Sequence, residues 1–201
     1  EVTVPNVETR LGQVLDVTDS ATVVQVFGGT DALSRAGTRT RFLHSTLQIP
    51  VNRSMLGRVF DGLGRPKDDL PGVISPESRD VNGNPINPFS REYPRDFIQT
   101  GISSIDLMNT LVRGQKLPIF SGNGLPHNRL AAQIARQARL LKEDVEFAIV
   151  FAAMGVKYDV ARFFIDTFEK SGVINNVCMF LSLAEDTPVE RHITPSSSLT
   201  L

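Results

Sequence analysis

Tryptophan is absent from this chain, tyrosine occurs only at Tyr93 and Tyr158, and cysteine only at Cys178. A single cysteine excludes an intramolecular disulfide. It lies in the apolar run Val177-Cys178-Met179-Phe180-Leu181, which predicts a buried and inert thiol. Neither sign of charge is in excess: 21 Lys+Arg stand against 22 Asp+Glu, a net charge of -1. Nothing in that balance favours nucleic acid or an anionic membrane surface as the main partner. No apolar run approaches the roughly 18 residues needed to cross a bilayer, and no basic-then-apolar signal segment opens the chain. A soluble, cytoplasmic chain is expected, meeting a membrane only through partners. What remains is ordinary globular material, 41% hydrophobic and 21% charged over 201 residues, enough for one domain or for one and part of another.

The first fifty residues predict short strands. Gln13–Asp16 and Thr22–Phe27 are rich in Val and Leu, with Asp19-Ser20 as turn chemistry between them and Gly28-Gly29-Thr30-Asp31 ending the second. A further strand is expected around Leu47–Val51, so residues 1–51 read as part of a small β-barrel, too short to close. Residues 52–96 are dense in Pro, Gly, Asn and Asp, as in Asp61-Gly62-Leu63-Gly64-Arg65-Pro66 and Asn82-Gly83-Asn84-Pro85. They predict a linker with tight turns, one of them able to close a hairpin, and the start of a second domain. From about Phe97 strands and helices alternate. Lys116–Phe120, Phe147–Ala153 and Val177–Leu183 predict strands, the last two covered on both faces. Arg129–Leu141 and Asp159–Ser171 predict helices, with Gly172 as a C-terminal stop. The alternation implies a parallel sheet with right-handed crossovers, hence a mixed α/β fold over 97–201.

Between the expected strand at 116–120 and the helix after it lies Ser121-Gly122-Asn123-Gly124-Leu125-Pro126-His127-Asn128. This is the place of a phosphate-binding loop, G-x-x-x-x-G-K-[ST], in which backbone N–H groups cradle phosphate, Lys neutralises charge and a hydroxyl holds Mg²⁺. Ser121 stands for the first Gly, Pro126 for the second, His127 for Lys and Asn128 for Ser/Thr. Each change weakens phosphate chemistry: Pro126 has no N–H, His127 lacks the permanent charge of Lys, and Asn128 lacks the hydroxyl. By motif alone the segment equally reads as an ordinary glycine turn before a helix.

Several stretches together resemble the B subunits of archaeal and vacuolar-type rotary ATPases. They are Met55–Phe60, Phe97–Asp106, Leu111–Ser121, Gly124-Leu125-Pro126-His127-Asn128, Ile149–Gly155 and Pro188-Val189-Glu190-Arg191. The helix at 131–137 has an archaeal character. The resemblance implies a partial N-terminal β-barrel followed by a recombinase-like, P-loop NTPase-like α/β nucleotide-binding domain that continues beyond residue 201. It implies a regulatory, non-catalytic subunit that alternates with catalytic A subunits in a ring and works with central and peripheral stalk subunits. That assembly couples ATP synthesis or hydrolysis to proton or sodium transport, at the cytoplasmic face of a membrane. ATP or ADP, with Mg²⁺ accompanying the nucleotide, is the implied ligand of residues 121–128. In the related catalytic subunits a Gly-Glu-Arg segment carries the carboxylate that orients water. Here the matching residues are Gly155-Val156-Lys157, and Val156 cannot polarise water. The resemblance also implies more than twice this length and a basic residue where Ser196 stands. Three readings stay open: a subunit that binds nucleotide without hydrolysing it, a purely structural ring member with a collapsed loop, and an NTPase with a non-standard loop.

Other candidates read blandly. His44 and His192 have no Cys or carboxylate at metal spacing and predict solvated or satisfied imidazoles. Glu185, Asp186 and Glu190 predict a solvated helix start, or, with Arg191, a subunit contact. Phe163, Phe164 and Phe168 predict core packing. Arg129, Arg136 and Arg139 predict exposed charges on one helix.

Overall fold

The computed structural model describes residues 1–3, 9–31, 33–140 and 147–201. In the N-terminal part β1 (Val2–Thr3), β2 (Gly12–Val17), β3 (Thr22–Val26) and β4 (Arg39–Thr40) form two antiparallel ladders, β1 with β4 and β2 with β3. The β2–β3 hairpin runs from Gly12 opposite Val26 to Val17 opposite Thr22, with a slip between Val14 and Asp16. Its turn closes where Asp19-Ser20 predicted, as the Ala21 and Thr18 amides and the Thr18 hydroxyl bond across it. Leu15, Val17 and Val23 remain exposed, and among the described residues no closed barrel forms.

The hairpin expected within 52–96 is the turn that bridges Phe60 and Pro66, where the Asp61 amide donates to the Arg65 carbonyl at 2.8 Å. Strand β5 (Gln48–Pro50) pairs antiparallel with β7 (Ser78–Asp80). Between them β6 (Val59–Phe60) leaves the ladder and joins the central sheet. That sheet is parallel, in the order β10-β11-β6, with β10 at Ile149–Val156 and β11 at Val177–Leu183. Two further strands, β8 (Ile98–Gln99) and β9 (Arg139–Leu140), pair antiparallel outside it. The helices are α1 (Ser103–Met108), α2 (His127–Gln137), α3 (Tyr158–Ser171) and α4 (Pro188–Thr200).

Strand β11 explains the core. Successive side chains of a strand point to opposite faces. Val177, Met179 and Leu181 pack with Phe164 and Phe168 of α3 and Ala132 of α2, while Cys178 and Phe180 pack with Ile49, Met55, Phe60 and Val81. Both faces are covered, as the unbroken apolar run requires. On the first face Phe151 meets Phe164 at 4.6 Å and Phe168 edge-on at 5.3 Å between ring centroids. Helix α3 stops at Gly172, whose φ of 72° is the left-handed cap that glycine supplies without strain.

Three expectations are corrected. Lys116–Phe120 is not a strand: it pairs with nothing in a sheet, and Phe120 is 92% exposed. Pro118 sits in its middle and cannot donate to a ladder, which is why the apolar run fails as a strand. The helix expected over 129–141 occupies His127–Gln137 and ends as Ala138 turns extended, at φ -55° and ψ 131°. Arg139 and Leu140 then pair with Gln99 and Ile98, a tertiary contact that overrides helix propensity; Leu141 lies outside the described residues. The strand expected at Phe147–Ala153 is displaced toward Val156.

Helix α4 begins at the helix start that Glu185, Asp186 and Glu190 predict, but its extent was not expected. It runs through Pro195, and its hydroxyl side chains supply bonds of their own: Thr194 donates to the Glu190 carbonyl at 2.7 Å and Ser198 to that of Pro195 at 2.8 Å. Ser197, fully buried, donates to the Gly62 carbonyl at 2.6 Å, tying the helix to the turn after β6. The serine run thus has an interior use.

Candidate functional site

Residues Ser121–His127 are all exposed, and Asn128 is half-buried. The loop turns at Gly124, whose φ of +82° lies in the left-handed region while nothing crowds a Cβ there. The backbone conformation, not space, therefore calls for glycine. Pro126 occupies the N-cap of α2 at φ -81° and ψ 45°, with no side chain capping the helix. The His127 amide donates to the Leu125 carbonyl at 2.9 Å, and Leu130 makes the first helical bond, to Pro126. The Ser121 hydroxyl and His127 Nδ1 are 2.9 Å apart, closing the loop on itself.

Two amide donors that a phosphate would use at the start of a helix are therefore missing. Pro126 has none, and that of His127 is already engaged. What remains for an anion are the amides of Asn128 and Arg129 in the first turn of α2 and two side chains, His127 through Nε2 and Asn128 through its amide. Beside them a groove of about 320 Å³ is lined by Leu125, Pro126, Asn128 and Arg129 and by Asp159, Val160 and Phe163 of α3. Phe163, expected in the core with its neighbours, is 37% exposed at this groove, whereas Phe164 and Phe168 are buried.

The Gly155-Val156-Lys157 segment ends β10 and caps α3. Val156 is half-buried against the core and its carbonyl accepts from the Ala184 amide at 2.9 Å. Gly155, at φ +65°, lies against Arg191, whose Cδ would stand 3.3 Å from a Cβ at that position. Arg191 donates to the Asp186 carbonyl at 3.2 Å. No carboxylate replaces the side chain at 156, so the segment holds nothing able to take a proton from water.

Of the acidic residues before and in α4, Glu185 is exposed, as the solvated reading has it, while Asp186 and Glu190 differ. Asp186 accepts from Lys67 Nζ at 2.8 Å and from the Leu183 amide at 2.7 Å, and Glu190 is only 6% exposed. Asp61, read only as a turn former, is 4% exposed and accepts from the amides of Leu63 and Arg65 and from Arg65 Nε. The Asp-Gly dipeptide signalled the turn, but nothing in the sequence signalled its burial under α4. Arg129 and Arg136 lie exposed on α2, while Arg139 is in β9. His44 and His192 are exposed, and among the described residues no group of three His, Cys, Asp or Glu could hold a metal. Cys178 is buried, and desolvation pushes its thiol up to about 12.

Two family models match the chain. The nucleotide-binding domain of the ATP synthase alpha/beta family matches residues 101–201, and the β-barrel domain of the same family matches residues 1–44. Among curated proteins the chain is 59% identical over 191 residues to V-type ATP synthase beta chain 2 of Treponema pallidum, covering 95% of this chain and 40% of that protein. It is 56% identical over 200 residues to the V-type ATP synthase beta chain of Halothermothrix orenii, covering 100% of this chain and 43% of that one. The chain spans about two-fifths of the length of these relatives.

Proposed function

Since the chain belongs to the ATP synthase alpha/beta family, we propose that it is the N-terminal portion of a non-catalytic, regulatory B subunit of a V-type rotary ATP synthase, binding ATP or ADP without hydrolysing it. In this reading residues 1–51 belong to the barrel, 52–96 connect and begin the central domain, and 97–201 are part of the nucleotide-binding domain. Its partners are catalytic A subunits in an alternating ring, with central and peripheral stalk subunits. The ring sits at the cytoplasmic face of a membrane that the chain meets only through the complex. No described helix is long and apolar enough to cross a bilayer.

The observation that carries the reading is the loop at 121–128 on a chain similar to V-type beta chains. It keeps a glycine turn before an α-helix but lacks the Lys, the hydroxyl and two of the amides that bind and activate a triphosphate. Ser121, Gly122, Asn123, Gly124, Leu125, Pro126, His127 and Asn128 form the proposed nucleotide contact, with His127 and Asn128 its polar side chains. Mg²⁺ would come with the nucleotide's own phosphate oxygens, since the described residues offer no ligand cluster. With Val156 where a water-orienting carboxylate would stand, turnover on this chain has no base.

One observation favours a second reading, a structural ring member that takes no nucleotide: the loop already satisfies itself through the Ser121–His127 and His127–Leu125 bonds. Calorimetric titration with ADP and MgATP separates the two. Saturable binding without phosphate release supports the regulatory site, and a flat isotherm for this chain both alone and with the A subunit supports the structural one. Phosphate release that is lost in His127→Ala would sink both.

A further inference from the structure

Helix α4 lies against the turn after β6 with almost no room between them. A Cβ on Gly62 would fall 2.6 Å from the Glu190 carbonyl oxygen and 3.2 Å from Glu190 Cγ. The Ser197 hydroxyl reaches across to the Gly62 carbonyl at 2.6 Å. Glu190 is thus held at the seam between the helix and the turn, 6% exposed, and its carboxylate has no hydrogen bond from any described residue. A buried carboxylate without a partner is costly when ionised.

The charged groups around it are already committed. From the turn, Arg65 gives its Nε–H and amide to Asp61, and Lys67 gives its ammonium to Asp186. Asp61 and Asp186 hold these cations, and both carboxylates lie near enough to Glu190 to disfavour its charge. On α4 itself, Arg191 bonds the Asp186 carbonyl and lies beside Gly155, and His192 is exposed. None of these cations bonds the Glu190 carboxylate; Arg65 and Lys67 act on it only at a distance, and the Arg191 Nε is buried without a partner.

We propose that Glu190 makes the seating of α4 on the 61–66 turn pH-dependent: the helix is held tightly while this carboxyl is protonated and loosens when it ionises. The proposal goes beyond nucleotide binding and does not depend on it. Burial, and then the Asp61 and Asp186 carboxylates, raise the Glu190 carboxyl above its ordinary range, against the weaker opposing pull of Lys67 and Arg65. In the unfolded chain a glutamate ionises near about 4.3. A group whose folded value lies higher contributes its full stability below the unfolded value and loses it as pH rises through the folded one. Loosening is therefore expected on alkalinisation. It starts at the end of the helix that carries Arg191, the residue packed on Gly155.

Amide hydrogen exchange on the 201-residue chain tests this, read at residues of α4 and, as an internal reference, at Cys178–Ser182 of β11. Rates are corrected for the intrinsic pH dependence of exchange. As pH rises from the ordinary glutamate value, near about 4.3, through the raised value of the folded chain, protection of α4 is expected to fall severalfold while that of β11 holds. In Glu190→Gln, which keeps the shape and removes the charge, α4 is expected to stay protected across the range. Wild-type protection that does not change, or a pH dependence that persists undiminished in Glu190→Gln, overturns the proposal. Should Glu190→Gln lose its far-UV circular dichroism, Glu190→Met answers the same question with the same two outcomes.

Discussion

Replacing Gly62 with alanine forces α4 and its turn apart at the tightest point of their contact. The added methyl would lie 2.5 Å from Thr194 Oγ1 and 2.6 Å from the Glu190 carbonyl oxygen. The hydroxyl could rotate away, but it would then give up its 2.7 Å bond to that same carbonyl, worth about 0.5–1.5 kcal/mol. The carbonyl belongs to the helix backbone and can retreat only if α4 moves as a body, an overpacking cost of about 1–3 kcal/mol. Together these predict a destabilisation of about 2–4 kcal/mol for Gly62→Ala. Urea unfolding followed by far-UV circular dichroism is the suitable assay. The chain has no tryptophan, and Tyr93 and Tyr158 are 89% and 70% exposed, so fluorescence would report little of the core. The double variant Gly62→Ala with Thr194→Ala should recover at most about 1 kcal/mol, because the carbonyl contact persists. An unfolding free energy for Gly62→Ala within about 0.5 kcal/mol of the parent, or full rescue by Thr194→Ala, would refute the reasoning.

Phe168→Ala should cost about 3–5 kcal/mol by the same measurement, since Phe168 is fully buried against Phe151 and Phe164, whereas Phe163→Ala at the groove should cost far less. Cys178 should resist iodoacetamide in the native chain near pH 8 and react quickly once the chain is unfolded in urea, because burial keeps its thiol protonated up to about 12; fast native labelling would contradict the packing of β11. His127→Lys combined with Asn128→Thr should restore a lysine and a hydroxyl without producing ATP hydrolysis, because Val156 leaves no base. Turnover above a mock preparation would show that a base lies elsewhere.

The parallel sheet and its crossover were legible because β10, α3 and β11 carry strong local signals: two unbroken apolar runs, one amphipathic stripe and a glycine stop. What escaped depends on contacts between distant segments. Val59 and Phe60 sit in a stretch dense with turn residues, and only Met179 and Phe180 make a strand of them. Pro195 and the three serines after it carry little helix propensity of their own. They form a helix because Ser197 finds the Gly62 carbonyl and the Thr194 and Ser198 hydroxyls serve carbonyls in their own turn. Burial of Glu190 and Asp61 could not be read from residue type, since glutamate and aspartate are seldom inside. At the loop the sequence identified which residues matter. It did not reveal that Ser121 would engage His127, or that Pro118 would deny the loop a strand to stand on.

The placement of β6 sets an order of events during synthesis. Its partner strand lies about 120 residues later, with Val59 opposite Met179. At translation rates of about 5–20 residues per second, Phe60 waits roughly 6–24 s for the surface that buries it. The β2–β3 hairpin can close in that interval from its own local contacts. Until β11 emerges, the 52–96 stretch is held by its short pairing with β5 and by local contacts such as Arg58–Asp68 and Arg65–Asp61. Its many prolines, glycines and asparagines suit that wait, for they resist the extended stacking by which idle apolar segments of nascent chains aggregate.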